Sequence, residues 1–458
     1  MVFKTTPLGE LMGDKGYIRG PFGSALKRAE LKKVGMPVYE QQHAIEGIRT
    51  FRYFIDDDKY SELRRFAVEA NDLIISCSGT VGRISVIQAE DPKGIISQAL
   101  LILRPDINKI LPYYLYYFLT SKAGAQELVN ASHGAVQLNI APRNIVEKIP
   151  VPLPANAEIQ RRIIRQLKVI DDKIALNRRI NQTLEAMAQA IFRSWFVDFD
   201  PVKAKIAAIE QGQDPLRAAM RAISGKTDAE LDQMPREHHD QLAAIAALFP
   251  DAMEESELGE IPKGWKAGTL AEICHLNPES WNAKTLPNTV SYVDLANTKS
   301  GEISELQVVS EKDIPSRARR ILRPGDTIIG TVRPGNRSFA LVGKENLTGS
   351  TGFAVLRPIA QEWLEFVYLV ATSGSNIDRL THLADGGAYP AVRPEVVVQG
   401  NIVIPDRMLA QKFHQYVQPF WVNILANRES AENLAELRDV LLPELLSGNI
   451  YIQHEEDR

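Results

Sequence analysis

Two long segments carry apolar side chains at alternating spacings of four and three, the heptad pattern of helices that pack on one another. A helix of about 40 residues would span on the order of 60 Å at 1.5 Å per residue. The positions of this pattern that would face the partner helix form a seam, and an asparagine occupies the same seam position in both helices. There it would fix the register of the helix pair; the alternative is that these asparagines face solvent. Pro419 should either kink the second helix or mark its start. The residues predicted to pack between the helices are Ile163, Leu167, Ile170, Ile174, Asn177, Leu184, Ile191, Phe413, Val417, Phe420, Ile424, Asn427, Leu434 and Leu441.

The second half of the chain repeats sequence features of the first half in the same order. Leu103–Pro105 recurs as Leu356–Pro358. The difference in residue number between equivalent residues decreases steadily along the chain, from 254 at Asp72 to 250 at Asn177. Such a drift is typical of two diverged copies with small loop deletions. One copy is predicted to run from about residue 1 to about 200, and the other from about 261 to about 450.

The first part of each copy is a mixed lobe in which short apolar runs are punctuated by Gly, Pro and Ser. Strands are predicted at Leu73–Ser76, Ile84–Ile87 and Ile95–Leu103, and a helix at Pro112–Leu119 with a counterpart near Glu362–Ala371. The fold class is therefore α+β: two mixed α/β lobes with β-rich cores, separated by two long helices packed as an antiparallel coiled coil, with a pseudo-twofold repeat. The predicted segments are a first lobe at 1–153, a long helix at 154–200, an acidic connecting insert at 201–260, a second lobe at 261–405, a second long helix at 406–450 and a tail at 451–458.

Composition and charge narrow the class of protein. The 458 residues carry 53 Lys and Arg against 57 Asp and Glu, a net charge of −4, which argues against nucleic-acid binding by bulk charge alone. The two cysteines, Cys77 and Cys274, lie in apolar stretches and are interpreted as reduced core residues. No signal peptide or apolar run long enough to span a membrane is expected, so we predict a cytoplasmic protein.

Signatures of catalysis are incomplete. Gly225-Lys226-Thr227 resembles the end of a phosphate-binding loop, but Met220 stands where that loop needs glycine. Asn277–Ser280 begins like the catalytic tetrapeptide of amino-methyltransferases, yet lacks its second proline and its aromatic residue. The pair His238-His239 has no further ligand at suitable spacing, so no metal site is predicted. Because the catalytic motifs are incomplete, no catalytic residue is predicted either.

Each lobe instead has loops of small, polar and basic residues that suit DNA contact. Arg reaches guanine edges with two hydrogen bonds, Asn and Gln reach adenine, and Ser and Thr reach phosphate. Equivalent loops differ between the copies while the helices keep their pattern, as expected of two lobes that recognise different sites; two lobes drifting without function would look similar. The candidate DNA-binding residues are Arg19, Phe22, Gly23, Ser24, Ser78, Thr80, Arg83, Gln137, Asn139 and Arg143 in the first lobe, and Arg317, Arg319, Arg320, Arg333, Asn336, Arg337, Ser338, Tyr389 and Arg393 in the second.

Four phrases of the sequence resemble the specificity subunit of type I restriction–modification systems. The lobe-to-helix junction is Ile149–Pro154 followed by Glu158–Ile163, where Ile159 separates a Glu and a Gln that are adjacent in the family. Ala190–Asp200 (AIFRSWFVDFD) resembles the end of the family's central region. Leu258–Trp265 (LGEIPKGW) resembles the opening of a second recognition lobe, and Leu437–Ile450 (LRDVLLPELLSGNI) the family's close.

The resemblance implies a function. Each lobe would be a target-recognition domain for one half of a split double-stranded DNA sequence, and the helices would set the spacing and dock two methyltransferase subunits. S-adenosylmethionine would be bound by those partners, ATP and Mg²⁺ would be used by restriction subunits, and this chain would be non-catalytic. Half-sites roughly 34 Å apart suit such a single-chain pseudo-dimer. The alternatives are a scaffold or decoy that organises partners without binding DNA, and a fused methyltransferase–nuclease, against which the missing tetrapeptide argues.

Overall fold

The structure is a computed structural model that describes residues 3–22, 25–78, 80–130, 132–133, 139–140, 142–282, 284–304 and 306–449. The chain divides into two compact units. Unit 1 comprises residues 1–177 and 429–458, and unit 2 comprises residues 178–428. Both boundaries therefore fall inside the long helices that the heptad pattern predicts.

Unit 1 begins with short strands and ends in the first long helix. Its strands are β1 (Phe3–Pro7), β2 (Met12–Arg19), β3 (Met36–Tyr39), β4 (Phe54–Ile55), β5 (Leu73–Ser76), β6 (Ile84–Val86), β7 (Ile95–Ile96), β8 (Leu100–Pro105), β9 (Ser132–His133), β10 (Asn139–Ile140) and β11 (Pro150–Pro154). Its helices are α1 (Gln41–Ile45), α2 (Asp57–Glu62), α3 (Pro112–Thr120), α4 (Lys122–Asn130), α5 (Arg143–Val146) and α6 (Ala157–Phe196), the last of which continues into unit 2.

The central sheet of unit 1, in the order β2-β8-β5-β6, lies between two apolar cores. Successive side chains of a strand point to opposite faces, so Leu73 and Ile75 enter one core while Ile74 enters the other. The first core also holds Leu167 of α6, and the second is closed by the sheet β4-β3-β7. Burial on both faces explains why β5 is an unbroken apolar run rather than an alternating one.

Unit 2 adds a helical segment before its lobe and ends in the second long helix. Its further helices are α7 (Asp200–Glu210), α8 (Pro215–Ser224), α9 (Asp228–Asp232), α10 (Arg236–Ala247), α11 (Leu364–Thr372), α12 (Gly374–Leu383), α13 (Pro394–Val398) and α14 (Arg407–Ser447). Its strands are β12 (Met253–Ser256), β13 (Gly259–Pro262), β14 (Lys266–Thr269), β15 (Cys274–Leu276), β16 (Thr289–Val293), β17 (Thr298–Lys299), β18 (Glu302–Ile303), β19 (Gln307–Ser310), β20 (Ala318–Leu322), β21 (Thr327–Gly330), β22 (Phe339–Leu341), β23 (Leu347–Ser350), β24 (Phe353–Pro358) and β25 (Asn401–Ile404).

The two units repeat the same strand topology. The sheet β15-β24-β21-β22 of unit 2 has the order of β2-β8-β5-β6, and the antiparallel pair β14-β25 matches β1-β11. The parallel pair β16-β23 likewise matches β3-β7. The internal repeat in the sequence is thus a repeat of structure.

A buried ion pair recurs at the same place in both lobes. The Asp72 carboxylate accepts hydrogen bonds from Arg104 Nε at 2.7 Å and Nη2 at 2.8 Å, and Asp326 accepts the same pair from Arg357, both at 2.8 Å. The carboxylates are 0% and 1% exposed. Each also accepts a backbone N–H from three residues earlier in the chain, at Glu69 and Arg323. The repeated Asp and Arg therefore tie neighbouring strands together.

Helices α6 and α14 pack antiparallel within each unit. In unit 1, Arg438 Nη1 donates to Asp171 Oδ1 at 3.0 Å and Asn177 Nδ2 donates to Ser430 Oγ at 3.1 Å. In unit 2, Asn427 Nδ2 donates to the Asn181 side chain at 2.9 Å, and the rings of Trp195 and Phe413 lie 5.7 Å apart.

The predicted seam residues are buried or half-buried, as a packed helix pair requires. Asn177 is 1% exposed, and Asn427 is half-buried with its side chain bonded across the pair. The alternative that these asparagines face solvent is therefore wrong.

Four expectations need correction. Ile95–Leu103 is not one strand, because the Leu100 N–H bonds back to Ser97 and the turn sends β7 and β8 into different sheets. Pro419 does not mark the start of the second long helix, which begins at Arg407 and continues through it. The first long helix covers Ala157–Phe196 rather than 154–200. The segment 201–260 is more than a connector, because four helices within it contribute side chains to the core of unit 2.

Helices α7 to α10 pack against the main apolar core of unit 2. Met220 of α8, Leu231 of α9 and Phe249, just after α10, join the core that contains Trp195. Asp214 caps α8 by accepting the N–H groups of residues 216 and 217, and Gly225, in the left-handed conformation, ends α8. The partial phosphate-loop motif is thus a helix boundary. Among the described residues, no helix is long and apolar enough to cross a membrane.

Candidate nucleic-acid interface

The loop after β5 in unit 1 is held by hydrogen bonds. Ser76 Oγ donates to the Thr80 carbonyl at 2.5 Å and accepts the Arg83 N–H at 2.9 Å. The Gln41 amide of α1 donates to the carbonyls of Ser78 and Thr80. Because these bonds use only backbone groups of residues 78, 80 and 83, the exposed side chains of Thr80 and Arg83 stay available to a ligand.

Two further predicted segments meet this loop. Arg19 Nη1 donates to the Ile140 carbonyl at 3.3 Å, and the Ile140 N–H donates to the Cys77 carbonyl at 3.2 Å. The Arg19 guanidinium carbon lies 5.8 Å from the centre of the Phe22 ring, which is 61% exposed. A basic group beside an exposed ring is suited to stacking on a base as well as to phosphate contact.

The equivalent loops of unit 2 also pack on each other. The Arg333 N–H donates to the Pro390 carbonyl at 2.7 Å, and its Nη2 donates to the Ala388 carbonyl at 2.6 Å. The guanidinium carbon lies 4.5 Å from the centre of the Tyr389 ring, which is 70% exposed. Arg333 and Tyr389 thus form one exposed basic and aromatic surface.

Backbone strain shapes the same loop. Arg333 has φ +48° and Arg337 has φ +59°, and these left-handed residues flank the single 3₁₀ turn Pro334–Asn336. Such conformations cost free energy in residues with a Cβ atom and are concentrated at binding sites. The turn leaves both arginines and Asn336 exposed.

The junction between the loops is the same in both units. In unit 1 the Ile140 N–H bonds to the Cys77 carbonyl, and in unit 2 the Val392 N–H bonds to the Thr331 carbonyl at 2.9 Å. In each case the residue after the central strand accepts from the segment before the short helix α5 or α13. The two candidate surfaces are therefore built on one scaffold, while their exposed side chains differ.

Several candidates lie less favourably for DNA contact. Ser338 is buried and donates its hydroxyl to the Leu295 carbonyl at 3.0 Å. Arg320 is half-buried on β20, where burial lowers the pKa of its guanidinium, and Arg319 donates to the carbonyl of residue 318. Arg143 pairs with Glu147 at 2.6 Å but stays exposed.

The remaining candidates are exposed or undescribed. Arg317 and Arg393 are exposed. Gly23, Ser24 and Gln137, and the side chain of Asn139, lie outside the described residues.

Sequence reasoning missed a hairpin beside the second surface. Strands β17 and β18 form a two-stranded hairpin whose Ser300 N–H donates to the Arg337 carbonyl at 2.8 Å. The signal was the dipeptide Ser300-Gly301, in which both residues have positive φ, as a tight hairpin turn requires. Gln41 was missed because nothing in the sequence indicates that α1 meets the loop after β5.

Residues of the incomplete tetrapeptide Asn277–Ser280 make structural contacts instead. Asn277 is a structural residue whose Oδ1 accepts the Val355 N–H at 3.0 Å. Glu279 bonds to Arg323 and Arg357, which lowers its pKa to about 2. No group of three or more His, Cys, Asp or Glu side chains in the described part of the chain comes together as a metal site would require. Cys77 and Cys274 are buried and unpaired, and burial raises the pKa of each to about 12.

Comparison with known proteins identifies the family. Residues 23–186 match the type I restriction modification DNA specificity domain. The chain is 30% identical over 397 residues to the type I restriction enzyme HindI specificity subunit of Haemophilus influenzae, covering 81% of this chain and 84% of that protein. The chain belongs to the type I restriction enzyme specificity subunits.

Two other proteins are similar to the chain. The MjaIX specificity subunit of Methanocaldococcus jannaschii is 22% identical over 363 residues, which cover 75% of this chain and 70% of that one. The crystal structure of an S subunit from M. genitalium aligns over 97% of this chain and 96% of its own, with 13% identity and a TM-score of 0.48.

Proposed function

We propose that each lobe recognises one half of a two-part double-stranded DNA sequence, and that the chain supplies specificity to a complex whose other subunits carry the chemistry. One observation carries the proposal. Both lobes have the same sheet order and the same loop junction, yet the exposed residues at that junction differ, with Thr80 and Arg83 in one and Arg333, Asn336 and Arg337 in the other. A common scaffold with different exposed side chains suits two different base sequences.

The long helices would fix the distance between the half-sites. Hydrogen-bonded seam asparagines hold their register: Asn177 bonds to Ser430 in unit 1, and Asn427 bonds to Asn181 in unit 2. A packed helix pair is stiff, so its length would translate into a fixed number of unread base pairs.

The helices would also dock two methyltransferase subunits. Val169 and Leu176 are exposed seven residues apart on α6 in unit 1, and Ile180 and Met187 are exposed at the same spacing in unit 2. Residues seven apart share a helix face, so a partner helix has an apolar stripe to cover in each unit. In this proposal S-adenosylmethionine is bound by the methyltransferase subunits, ATP and Mg²⁺ are used by restriction subunits, and this chain is non-catalytic.

Replacing Arg337 with alanine tests base recognition. If Arg337 contacts a base, Arg337→Ala should weaken or change one half-site by about 1–3 kcal/mol and leave the other half-site intact. Arg236→Ala, at an exposed arginine of α10, is the matched control and should change neither. Methylation of a library of randomised targets measures both. An equal loss at the two half-sites, or no change, would rule out base contact by Arg337.

Lengthening the helix tests the spacing role. Four residues inserted between Asn177 and Asn181 add about 6 Å of helix and should widen the gap by one or two base pairs. Both half-site sequences should stay the same, because neither lobe is altered. An unchanged gap in an assembled complex would show that the helices do not set the spacing.

A further inference from the structure

A carboxylate of the long helix α6 lies under the second lobe. Glu185 is partly buried, and its Oε1 accepts a hydrogen bond from Tyr368 Oη of α11 at 2.9 Å. Tyr368 is fully buried, and its ring packs edge-on against Trp421 with centroids 4.8 Å apart. The position of the hydroxyl, and with it of the carboxylate, is therefore fixed by the core.

The hairpin β17–β18 rests on this pair through a glycine. A Cβ atom on Gly301 would lie 3.0 Å from Tyr368 Oη and 3.4 Å from Glu185 Oε2. Gly301 also has φ +93°, a conformation that side chains other than hydrogen rarely permit. The absence of a side chain is what lets the hairpin approach so closely.

The hairpin in turn holds the candidate DNA loop. The Ser300 N–H donates to the Arg337 carbonyl and the Gly301 N–H to the Phe339 carbonyl, both at 2.8 Å. Arg337 is the left-handed residue at the end of the 3₁₀ turn, so a shift of its carbonyl moves its side chain as well. Burial raises the pKa of Glu185, and attraction by Arg428 and Arg337 opposes that rise, which places Arg337 within electrostatic reach of the carboxylate.

We propose that Glu185, Tyr368 and Gly301 are positioning residues that set the place of Arg337 for the half-site read by the second lobe. The inference rests on the proposed function. Base discrimination by one lobe then depends on Glu185, a partly buried helix residue that lies beneath the hairpin. A merely structural role would lower stability without changing which bases are accepted.

The first test compares two glycines with the same strained conformation. Gly301→Ala places a methyl group against Tyr368 and Glu185, whereas Gly259→Ala, at φ +89° in the first residue of β13, meets nothing within 4 Å. Both variants carry the same backbone strain. Gly301→Ala should reduce the preference for the cognate base about tenfold, at the positions that Arg337→Ala affects, and Gly259→Ala should leave every position unchanged.

The second test removes the charge of Glu185, and it adds no methyl group that the folded lobe would have to accommodate. Glu185→Gln keeps an acceptor for Tyr368 Oη and removes the negative charge near Arg337, and Tyr368→Phe removes only the hydroxyl. Each should relax the same positions of the same half-site, while the gap and the other half-site stay as in the wild type. The readout is the methylated fraction of a randomised target library for complexes with the methyltransferase subunit.

The outcomes separate this inference from the function on which it rests. A wild-type complex that methylates no two-part sequence contradicts the proposed function. A wild-type two-part sequence that is unchanged in both Gly301→Ala and Glu185→Gln overturns the positioning role alone. Loss spread evenly over both half-sites also overturns it, because the change would then be one of stability or assembly. Relaxation confined to the positions governed by Arg337 supports it.

Discussion

Breaking the buried ion pair in the first lobe should destabilise the lobe far more than breaking an exposed pair of the same geometry. In the Arg104→Ala variant, Asp72 would keep the Glu69 N–H at 2.7 Å but lose both hydrogen bonds and the compensating charge at a site that is 0% exposed. A buried charge left without its partner costs about 3–5 kcal/mol. Amide hydrogen exchange of β5 and β8, the strands that the pair joins, should therefore accelerate by about two to four orders of magnitude.

The matched control is Arg52→Ala in the same lobe. Arg52 makes the same two-bond contact with Glu40, at 2.8 and 2.7 Å, but its side chain is 64% exposed. Water screens such a pair, so its loss should cost about 0–1 kcal/mol. Arg104 also donates to the Glu69 carboxylate at 2.7 Å and to the Ala67 carbonyl at 3.1 Å. Equal effects of Arg104→Ala and Arg52→Ala on exchange would refute the argument, because only Arg104→Ala leaves a fully buried carboxylate without its arginine.

Two further predictions concern unit 2. Replacing both Asn181 and Asn427 with leucine should raise the denaturant midpoint, since a half-buried polar pair between packed helices fixes their register at the expense of stability. A lower midpoint would show that their 2.9 Å hydrogen bond stabilises the pair. His414 bonds to the buried Glu365 carboxylate at 2.5 Å, which raises the pKa of His414. The contribution of the His414–Glu365 bond to the free energy of unfolding is therefore complete below pH about 6.5, the pKa of a histidine in an unfolded chain. It is lost as the pH rises through the higher pKa of His414 in the folded protein. Unfolding of unit 2 can be followed by tryptophan fluorescence at each pH, since all five tryptophans lie within residues 178–428. The His414→Gln variant should show a weaker dependence of stability on pH.

The parts of the fold that follow from local periodicity were predictable from the sequence. The heptad spacing around Leu167 and Phe413 predicted two packed helices because each seam position points the same way along a regular helix. The repeat of Asp72 and Arg104 as Asp326 and Arg357 marked equivalent strands because the pair must be kept whole once it is buried.

What the sequence concealed depends on contacts between distant segments. Ile95–Leu103 is apolar apart from Ser97 and Gln98, and periodicity did not show that the turn at these two residues sends its two halves into separate sheets. Ser338 follows a basic loop and was interpreted as a DNA contact, but it is buried and its hydroxyl donates to the Leu295 carbonyl, 43 positions earlier in the chain. The segment 201–260 was interpreted as a connector because the sequence does not show that its side chains pack into the core around Trp195.

A methylome tests the central claim most directly. The chain is expressed with its methyltransferase subunit in a host that lacks the modification, and N6-methyladenine is mapped across the genome. Two lobes on one scaffold, joined by helices of fixed register, predict a single two-part sequence with a constant unread gap. An uninterrupted sequence, a variable gap, or an assembled complex that leaves no new methylation would contradict the account.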